Sequence, residues 1–136
     1  MLRLLIITDF TESFANKLLK GIVSYSRCKE QWAICRMPPA YKAQIGIPGV
    51  VKWAKDWGAD AVIGQFEETD DVGLFARNGI AAVAQDFKKR FTTIPNITAD
   101  YIGTGRMAAR FYIDRGFRHF GFFGFNHVCW SDERCE

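Results

Sequence analysis

The side chains of this 136-residue chain that are suited to ligand recognition are polar and aromatic groups placed just after its apolar segments. They are carboxylates, amides, one arginine and several rings, grouped as Asp9, Phe10, Ser13 and Phe14; Gln65 and Phe66; Gln85, Asp86 and Phe87; Asp100; and Asn126, His127, Trp130 and Arg134. Carboxylates and arginine form strong hydrogen bonds to neighbouring hydroxyls, and an aromatic face covers the apolar side of a sugar ring. The mixture favours a neutral polyhydroxylated ligand such as a sugar, although each ring also suits a protein core and Asp100 also suits a helix cap.

Other chemistries have no matching pattern. Gly103-Thr-Gly105-Arg-Met-Ala108 has the spacing of a dinucleotide fingerprint, but that motif follows a strand directly, and here Asp100 and Tyr101 precede it. No zinc-site spacing relates the candidate ligands His119, His127, Cys129 and Cys135. No serine, cysteine or carboxylate pair stands beside an identifiable base. We therefore expect no cofactor, no metal and no enzyme activity.

Composition and charge describe one globular domain. Hydrophobic residues make up 49% of the chain and charged residues 24%, which excludes collagen-like, low-complexity and disordered classes. Eighteen Lys and Arg against fifteen Asp and Glu leave a net charge of +3, scattered along the sequence. Scattered basic residues are weaker evidence for nucleic-acid binding than a clustered basic patch would be.

The sequence also bears on the compartment. The apolar run Leu4–Thr8 is far shorter than the roughly 20 residues of a membrane helix, or the roughly 7 to 15 of a secretory signal. Cys28, Cys35, Cys129 and Cys135 contain no Cys-x-x-Cys pair, which favours reduced thiols. We expect a cytoplasmic protein that does not contact a membrane.

Strand and helix signals alternate along the chain. Continuous apolar runs predict strands at Leu2–Thr8, Trp32–Cys35, Ala59–Ile63, Ile80–Ala84, Ile94–Thr98 and His119–Phe123. Helices are predicted to begin near Ser13, Pro48, Glu67 and Asp100, and the last three to end at Gly58, Asn78-Gly79 and Gly116. Because the strand runs are apolar throughout, helices must cover both faces of the sheet. We predict an α/β fold with a doubly wound parallel sheet.

In such a sheet, ligands bind outside the carboxyl ends of the strands, near the point where the winding reverses. This rule brings the five groups of ligand-recognising side chains to one edge. Ser131, followed by Asp132 and Glu133, has the pattern of an N-cap and first turn, but Glu136 ends the chain before a second turn is complete. We therefore expect residues 1–136 to be a fragment.

Six segments together resemble a known family. They are Leu4-Leu-Ile-Ile-Thr-Asp-Phe10, Gly58-Ala-Asp-Ala-Val-Ile-Gly64, Ile80-Ala-Ala-Val-Ala84, Thr98-Ala-Asp-Tyr-Ile-Gly103, Gly116-Phe-Arg-His-Phe-Gly-Phe-Phe-Gly124 and Trp130-Ser-Asp-Glu-Arg134. In this order they resemble the N-terminal lobe of the two-lobed, periplasmic-binding-protein-like (type I) sensors of the lactose/galactose-repressor superfamily. The resemblance covers nearly the whole chain. Within the superfamily the chain looks most like the xylose-operon regulators, whose sensor precedes an arabinose-regulator-type DNA-binding domain.

The resemblance implies a homodimeric transcription regulator that senses a sugar, xylose or a related pentose. It implies promoter binding through a domain absent from this chain, and we expect that domain and the second lobe after Glu136. The ligand-binding residues that it implies are the first-loop residues Asp9, Phe10 and Phe14, the acid Asp86 after the fourth strand, and Trp130 and Arg134 near the final helix.

Two alternatives remain at this point. A solute-binding component of a sugar transport system shares the fold but should carry an export signal, and none is recognisable here. A small flavodoxin-like or nucleotide-binding enzyme is disfavoured because no glycine-rich turn follows the first strand.

Overall fold

A computed structural model describes residues 1–11, 13–85 and 88–136. Its strands are β1 (Leu2–Ile7), β2 (Trp32–Met37), β3 (Ala61–Gly64), β4 (Ala81–Gln85) and β5 (Asn96–Ile97). Its helices are α1 (Ser13–Arg27), α2 (Pro39–Trp57), α3 (Gly73–Arg77), α4 (Tyr101–Ile113) and α5 (Cys129–Cys135). The predicted α/β fold with a parallel sheet is confirmed. Within the described ranges no helix is both long and apolar enough to cross a bilayer.

The five strands lie in the order β2-β1-β3-β4-β5, and every neighbouring pair is parallel. The chain moves from β1 outward to β2 and then returns to place β3 on the other side of β1. The winding therefore reverses between β1 and β3, where Ile7 is in register with Gly64. In open parallel sheets this reversal opens a crevice at the carboxyl edge, which is where ligands bind.

The core is built from the apolar strand runs and α2 and α3. Leu5 and Ile7 of β1 pack in one cluster with Val50 of α2 and Phe75 of α3, all of them inaccessible to solvent. Burying apolar side chains of this size contributes about 1.5–3 kcal/mol each. The cluster holds β1, β3 and β4 rigidly in register, so it also positions the loops at their carboxyl ends.

Helix α2 confirms the predicted start and stop signals and adds an unpredicted first segment. Gly46, at φ 64° and ψ 172°, interrupts the helix, and Pro48 opens the part that follows, as its fixed φ favours. Gly58 adopts the left-handed conformation and its N–H donates to the Ala54 and Lys55 carbonyls, which ends the helix. The segment from Pro39 to the kink was not predicted, because two consecutive prolines at 38 and 39 indicated a loop.

The sequence-based prediction of a last strand at His119–Phe123 is wrong. The backbone there forms no strand, and Phe123 is 98% exposed. An apolar run becomes a strand only when it can pair with the free backbone N–H and C=O groups of a neighbouring strand. At this edge of the sheet the neighbour would be β5, and β5 is two residues long. The predicted strand at Ile94–Thr98 is likewise confirmed only at Asn96–Ile97.

Two predicted helix starts are also corrected. The acidic run beginning at Glu67 forms a turn, because the Asp70 N–H donates to the Glu67 carbonyl at 3.0 Å and the Asp70 carboxylate accepts from the Glu67 N–H at 2.8 Å. Helix α3 therefore starts only at Gly73. Ser131 is not an N-cap: it lies inside α5, buried, and its hydroxyl accepts a hydrogen bond from the Phe125 N–H at 2.8 Å.

Asp100 is the N-cap of α4, as predicted. Its Oδ1 accepts from the Gly103 N–H at 2.7 Å. A Cβ on Gly103 would lie 2.1 Å from Asp100 Oδ2, and one on Gly105 would lie 2.3 Å from the Arg134 carbonyl oxygen. The glycines with dinucleotide-like spacing therefore allow this cap and the close approach of α4 to α5.

Replacing Asp100 tests the cap directly. We expect Asp100→Ala to lower the free energy of unfolding by about 1 kcal/mol, because the Gly103 N–H loses its acceptor. Asp100→Ser retains an acceptor and should stay within about 0.5 kcal/mol of the unaltered chain. Urea denaturation measures both, and an unchanged Asp100→Ala variant would contradict a capping role.

Candidate functional site

The carboxyl edge of the sheet carries a row of buried polar side chains at the point of reversed winding. Ile7, Gly64 and Ala84 are in register, so the next position on each strand is occupied by Thr8, Gln65 and Gln85. We call Thr8, Gln65 and Gln85 the polar row; they are 1%, 8% and 2% exposed. Such residues are normally hydrogen-bonded when buried.

Only one member of the polar row has a side-chain hydrogen bond among the described residues. The Gln65 Oε1 accepts from the Asp9 N–H at 3.4 Å, linking the loops after β1 and β3. Thr8 Oγ1 and both polar atoms of Gln85, Oε1 and Nε2, find no partner within the described ranges. Leaving a buried polar group unpaired costs about 1–3 kcal/mol, so these atoms mark a place where a polar partner is needed.

The loop after β1, which contacts Gln65 through the Asp9 N–H, carries a carboxylate and an aromatic ring. Asp9 Oδ1 accepts from the Thr11 hydroxyl at 2.7 Å and from the Thr11 N–H at 2.9 Å. These two hydrogen bonds, the hydroxyl first, hold the pKa of the Asp9 carboxyl below its ordinary value of 3.8. Phe10 is half-buried, with the Arg36 guanidinium 4.8 Å from its ring centre. Phe14, at the start of α1, is exposed.

The lowered pKa of Asp9 can be tested through Thr11. Thr11→Val removes the hydroxyl donor, so we expect the pKa of Asp9 to rise toward 3.8. Because the folded-state pKa lies below the unfolded one, the hydrogen bonds stabilise the fold above pH 3.8 and are lost as the pH falls through the folded-state value. NMR titration of the Asp9 carboxyl carbon measures the change. Thr11→Ser keeps the hydroxyl and should leave this pKa low.

A cavity of about 400 Å³ adjoins the polar row, and its lining includes Gln65, Lys42 and Asp70. The Lys42 Nζ lies 2.5 Å from Asp70 Oδ2, and the two side chains are 9% and 17% exposed. Asp70 Oδ2 also accepts from the Glu67 N–H at 2.8 Å. Sequence reasoning missed Lys42, because no local pattern relates it to an acid 28 residues later.

The polypeptide after α4 returns to the same edge. The Cys129 N–H donates to the Lys88 carbonyl at 3.0 Å, and Arg90 pairs with Glu133 at 2.8 Å, so α5 is anchored on the loop after β4. On α5, the Arg134 guanidinium lies 4.7 Å from the ring centre of Tyr101 and 5.3 Å from that of Trp130. Cation–π contacts of this kind hold the arginine without neutralising its charge.

The residues predicted to bind ligand fall into two groups. Asp9, Phe10 and Phe14 surround the end of β1, whereas Trp130 and Arg134 lie on α5. Among the described residues, no hydrogen bond, ion pair or ring contact joins the two groups. Arg134 lines a separate cavity of about 690 Å³ between α4 and α5. Asp86 lies outside the described residues. Ligand contact stays a prediction for all six of the residues named in the sequence analysis, Asp9, Phe10, Phe14, Asp86, Trp130 and Arg134.

Features of other chemistries are absent from the part of the chain that the structure describes. No group of three or more His, Cys, Asp or Glu side chains there is placed to hold a metal. None of the four cysteines, all of which are described, forms a disulfide.

Solved structures share this fold. The substrate-binding protein of a sugar ABC transport system from Bordetella parapertussis superposes with a TM-score of 0.77 at 17% identity, over 98% of this chain and 45% of that protein. The trehalose repressor from Escherichia coli gives 0.75 at 14% identity, over 98% and 52%. A LacI transcriptional regulator from a Rhodococcus species gives 0.73 at 13% identity, over 98% and 49%. No protein-family model and no curated protein matches the sequence.

These likenesses define the class of fold. The chain has the parallel α/β fold that is found in about half of the sugar-transport substrate-binding protein and of the LacI transcriptional regulator. It spans about half the length of the solved structures that it matches.

Proposed function

We propose that this chain is one lobe of the sugar-sensing domain of a transcription regulator, with xylose or a related pentose as its effector. The observation that carries the proposal is the polar row at the carboxyl edge of the sheet, where Thr8 and Gln85 have side-chain atoms with no partner among the described residues. The loop after β1, which contacts Gln65 through the Asp9 N–H, adds the Asp9 carboxylate and the Phe10 ring. Hydrogen-bonding groups next to an aromatic face suit a sugar. The fold shared with a trehalose repressor and a sugar-transport protein supports the same ligand class.

The proposed mechanism is a two-lobed clamp. A sugar held between this lobe and a second one favours the closed state in proportion to its greater affinity for that state. Closure changes the spacing of paired subunits and so the placement of their DNA-binding domains. We propose that the intact protein is a cytoplasmic homodimer without enzyme activity, and that it reaches promoter DNA through an arabinose-regulator-type domain outside residues 1–136.

A second candidate is a solute-binding component of a sugar transport system. The superposition on such a protein from Bordetella parapertussis, with a TM-score of 0.77, favours it. The two candidates share the sugar site and differ in DNA binding. A gel shift with the upstream region of the protein's own operon separates them, because only a regulator forms a specific complex that sugar alters.

A thermal-shift panel on the intact protein tests the sugar site. D-xylose, L-arabinose, D-ribose and D-glucose are compared at 10 mM. We expect D-xylose or another pentose to raise the melting temperature, since a ligand at about 100 times its Kd adds about 2.7 kcal/mol to the free energy of unfolding. The absence of a shift with every sugar in the panel would overturn the proposal.

A further inference from the structure

Exposed aromatic side chains gather on α4 and the apolar run after it. Phe111, Tyr112, Phe117, Phe120 and Phe122 are each about half exposed to solvent. The ring centre of Tyr112 lies 5.5 Å from that of Phe111, 5.6 Å from that of Phe117 and 6.3 Å from that of Phe120. Phe122 lines the same cavity as Tyr112, Phe117 and Phe120. We call these five side chains the aromatic surface.

The size of the aromatic surface is that of a protein interface. An aromatic side chain presents about 150–250 Å², so five half-exposed rings leave about 400–650 Å² in contact with water. Met107, one turn before Phe111 and 68% exposed, and Phe123, 98% exposed, extend the surface further. The largest apolar patch on a typical monomer is about 300–600 Å², and each partner of a stable interface buries about 800 Å². The extended surface matches one side of such an interface.

The composition of this part of the chain also indicates a protein partner. Residues 101–128 contain eight aromatic residues and four arginines, but no lysine and a single acid, Asp114. Aromatic residues, methionine and arginine are enriched at protein interfaces, whereas lysine and acids are depleted there. Surfaces that bind nucleic acid or anionic lipid use lysine as well as arginine. The absence of lysine therefore favours a protein.

Two of the four arginines are compensated within the chain. The Arg110 Nε lies 3.2 Å from Asp114 Oδ1. The Arg115 guanidinium lies 3.5 Å from the ring centre of Phe111, which is a cation–π contact. These two side chains therefore need no acid from a partner.

The edge of the aromatic surface keeps a positive charge. Arg106 and Arg118 form no ion pair within the described ranges. Arg134 and Glu136 both line the adjoining cavity, so their charges offset each other. A second copy of the chain brings like charges together at this edge while its rings cover the rings of the first copy. Screening by salt should therefore strengthen such a pair, whereas it weakens the binding of an acidic partner.

We propose that the aromatic surface binds the aromatic surface of a second copy of this chain across a two-fold axis. A two-fold interface uses the same patch on both subunits, and aromatic rings pack on one another edge-to-face or offset. This inference rests on the homodimer of the proposed function and identifies the surface that forms it. It does not depend on which ligand the polar row binds.

Two substitutions in the intact protein test the aromatic surface. Met107→Lys places a charge on the exposed side of α4 with a residue that favours helices, and Phe120→Ser removes one ring. We expect each to raise the dissociation constant of the dimer at least about tenfold, because side chains at the centre of an interface carry most of its affinity. Sedimentation velocity over a concentration series measures the constant, and circular dichroism verifies that both variants are folded.

Tyr41→Lys is the matched control. Tyr41 lies on α2 and is 43% exposed, so this substitution also removes an exposed, largely apolar side chain and adds one positive charge. We expect the dissociation constant of the dimer to stay unchanged in this variant.

The second arm raises the ionic strength from about 0.1 to 1 M, which shortens the screening length from about 10 to 3 Å. We expect the dissociation constant of the unaltered protein to fall. A protein that is monomeric at every concentration overturns the inference, and so does a dimer that salt dissociates. A dimer that persists unchanged in both Met107→Lys and Phe120→Ser also overturns it, and is the result expected if a second lobe covers the rings. The thermal-shift panel measures sugar binding separately, so either proposal can fail while the other stands.

Discussion

Asp70→Ala is expected to lower the free energy of unfolding by about 3 kcal/mol, which for a domain of this size lowers the melting temperature by about 10 °C. The substitution leaves the Lys42 ammonium group, whose side chain is only 9% exposed, without its carboxylate partner. An uncompensated buried charge is far more costly than the loss of an exposed ion pair. The Glu67 N–H loses its acceptor as well.

The neighbouring acid provides the control. Asp71 pairs with Arg77 on the surface, where the two side chains are 62% and 59% exposed. Asp71→Ala should therefore cost less than about 1 kcal/mol. The double variant Lys42→Met with Asp70→Leu should recover most of the stability, because a neutral apolar pair needs no counter-ion. Equal melting temperatures for Asp70→Ala and Asp71→Ala would show that the Lys42–Asp70 pair is not buried in solution.

Arg134→Ala in the intact protein is expected to weaken D-xylose binding by about 10- to 150-fold. A hydrogen bond to a charged group contributes about 1.5–3 kcal/mol, and each 1.4 kcal/mol corresponds to a tenfold change in affinity. The free protein should lose no more than about 2 kcal/mol of stability, the range of two cation–π contacts, with Tyr101 and Trp130, at partly exposed sites. Calorimetric titration and thermal melting separate the two effects.

Arg110→Ala is the matched control for Arg134→Ala. Arg110 lies on α4, its side chain is 79% exposed, and within the described ranges its ion pair is with Asp114, four residues later. The Arg110→Ala substitution removes the same charge from the chain. Equal losses of affinity in the two variants would therefore show that Arg134 acts through the net charge of the protein and not through contact with the ligand.

Trp130→Ala should also weaken binding if the ring covers a sugar face. Unaltered affinity would leave Trp130 as a packing partner of Phe125, whose ring centre is 5.8 Å away.

The sequence predicted those residues of the candidate site that directly follow an apolar run along the chain. Asp9 and Phe10 follow the first apolar run directly, and the rule that ligands bind at the carboxyl edge places them without coordinates. Gln65 and Gln85 were recognised by the same rule. What their sequence positions did not show is that Thr8 joins them in one row, since register depends on pairing between strands that are far apart in the chain.

The sequence by itself determined the alternation of strands and helices, the parallel sheet and the Asp100 and Gly58 helix ends, because each depends on apolar periodicity or on a cap within a few residues. Only the tertiary structure decided the strand order, the Lys42–Asp70 pair and which atoms of the polar row lack a partner among the described residues. The same is true of the apolar run after α4, which has the composition of a strand but pairs with none of the strands that the structure describes. Long-range pairing and burial depend on which segments meet in space, and local sequence patterns carry no information on that choice.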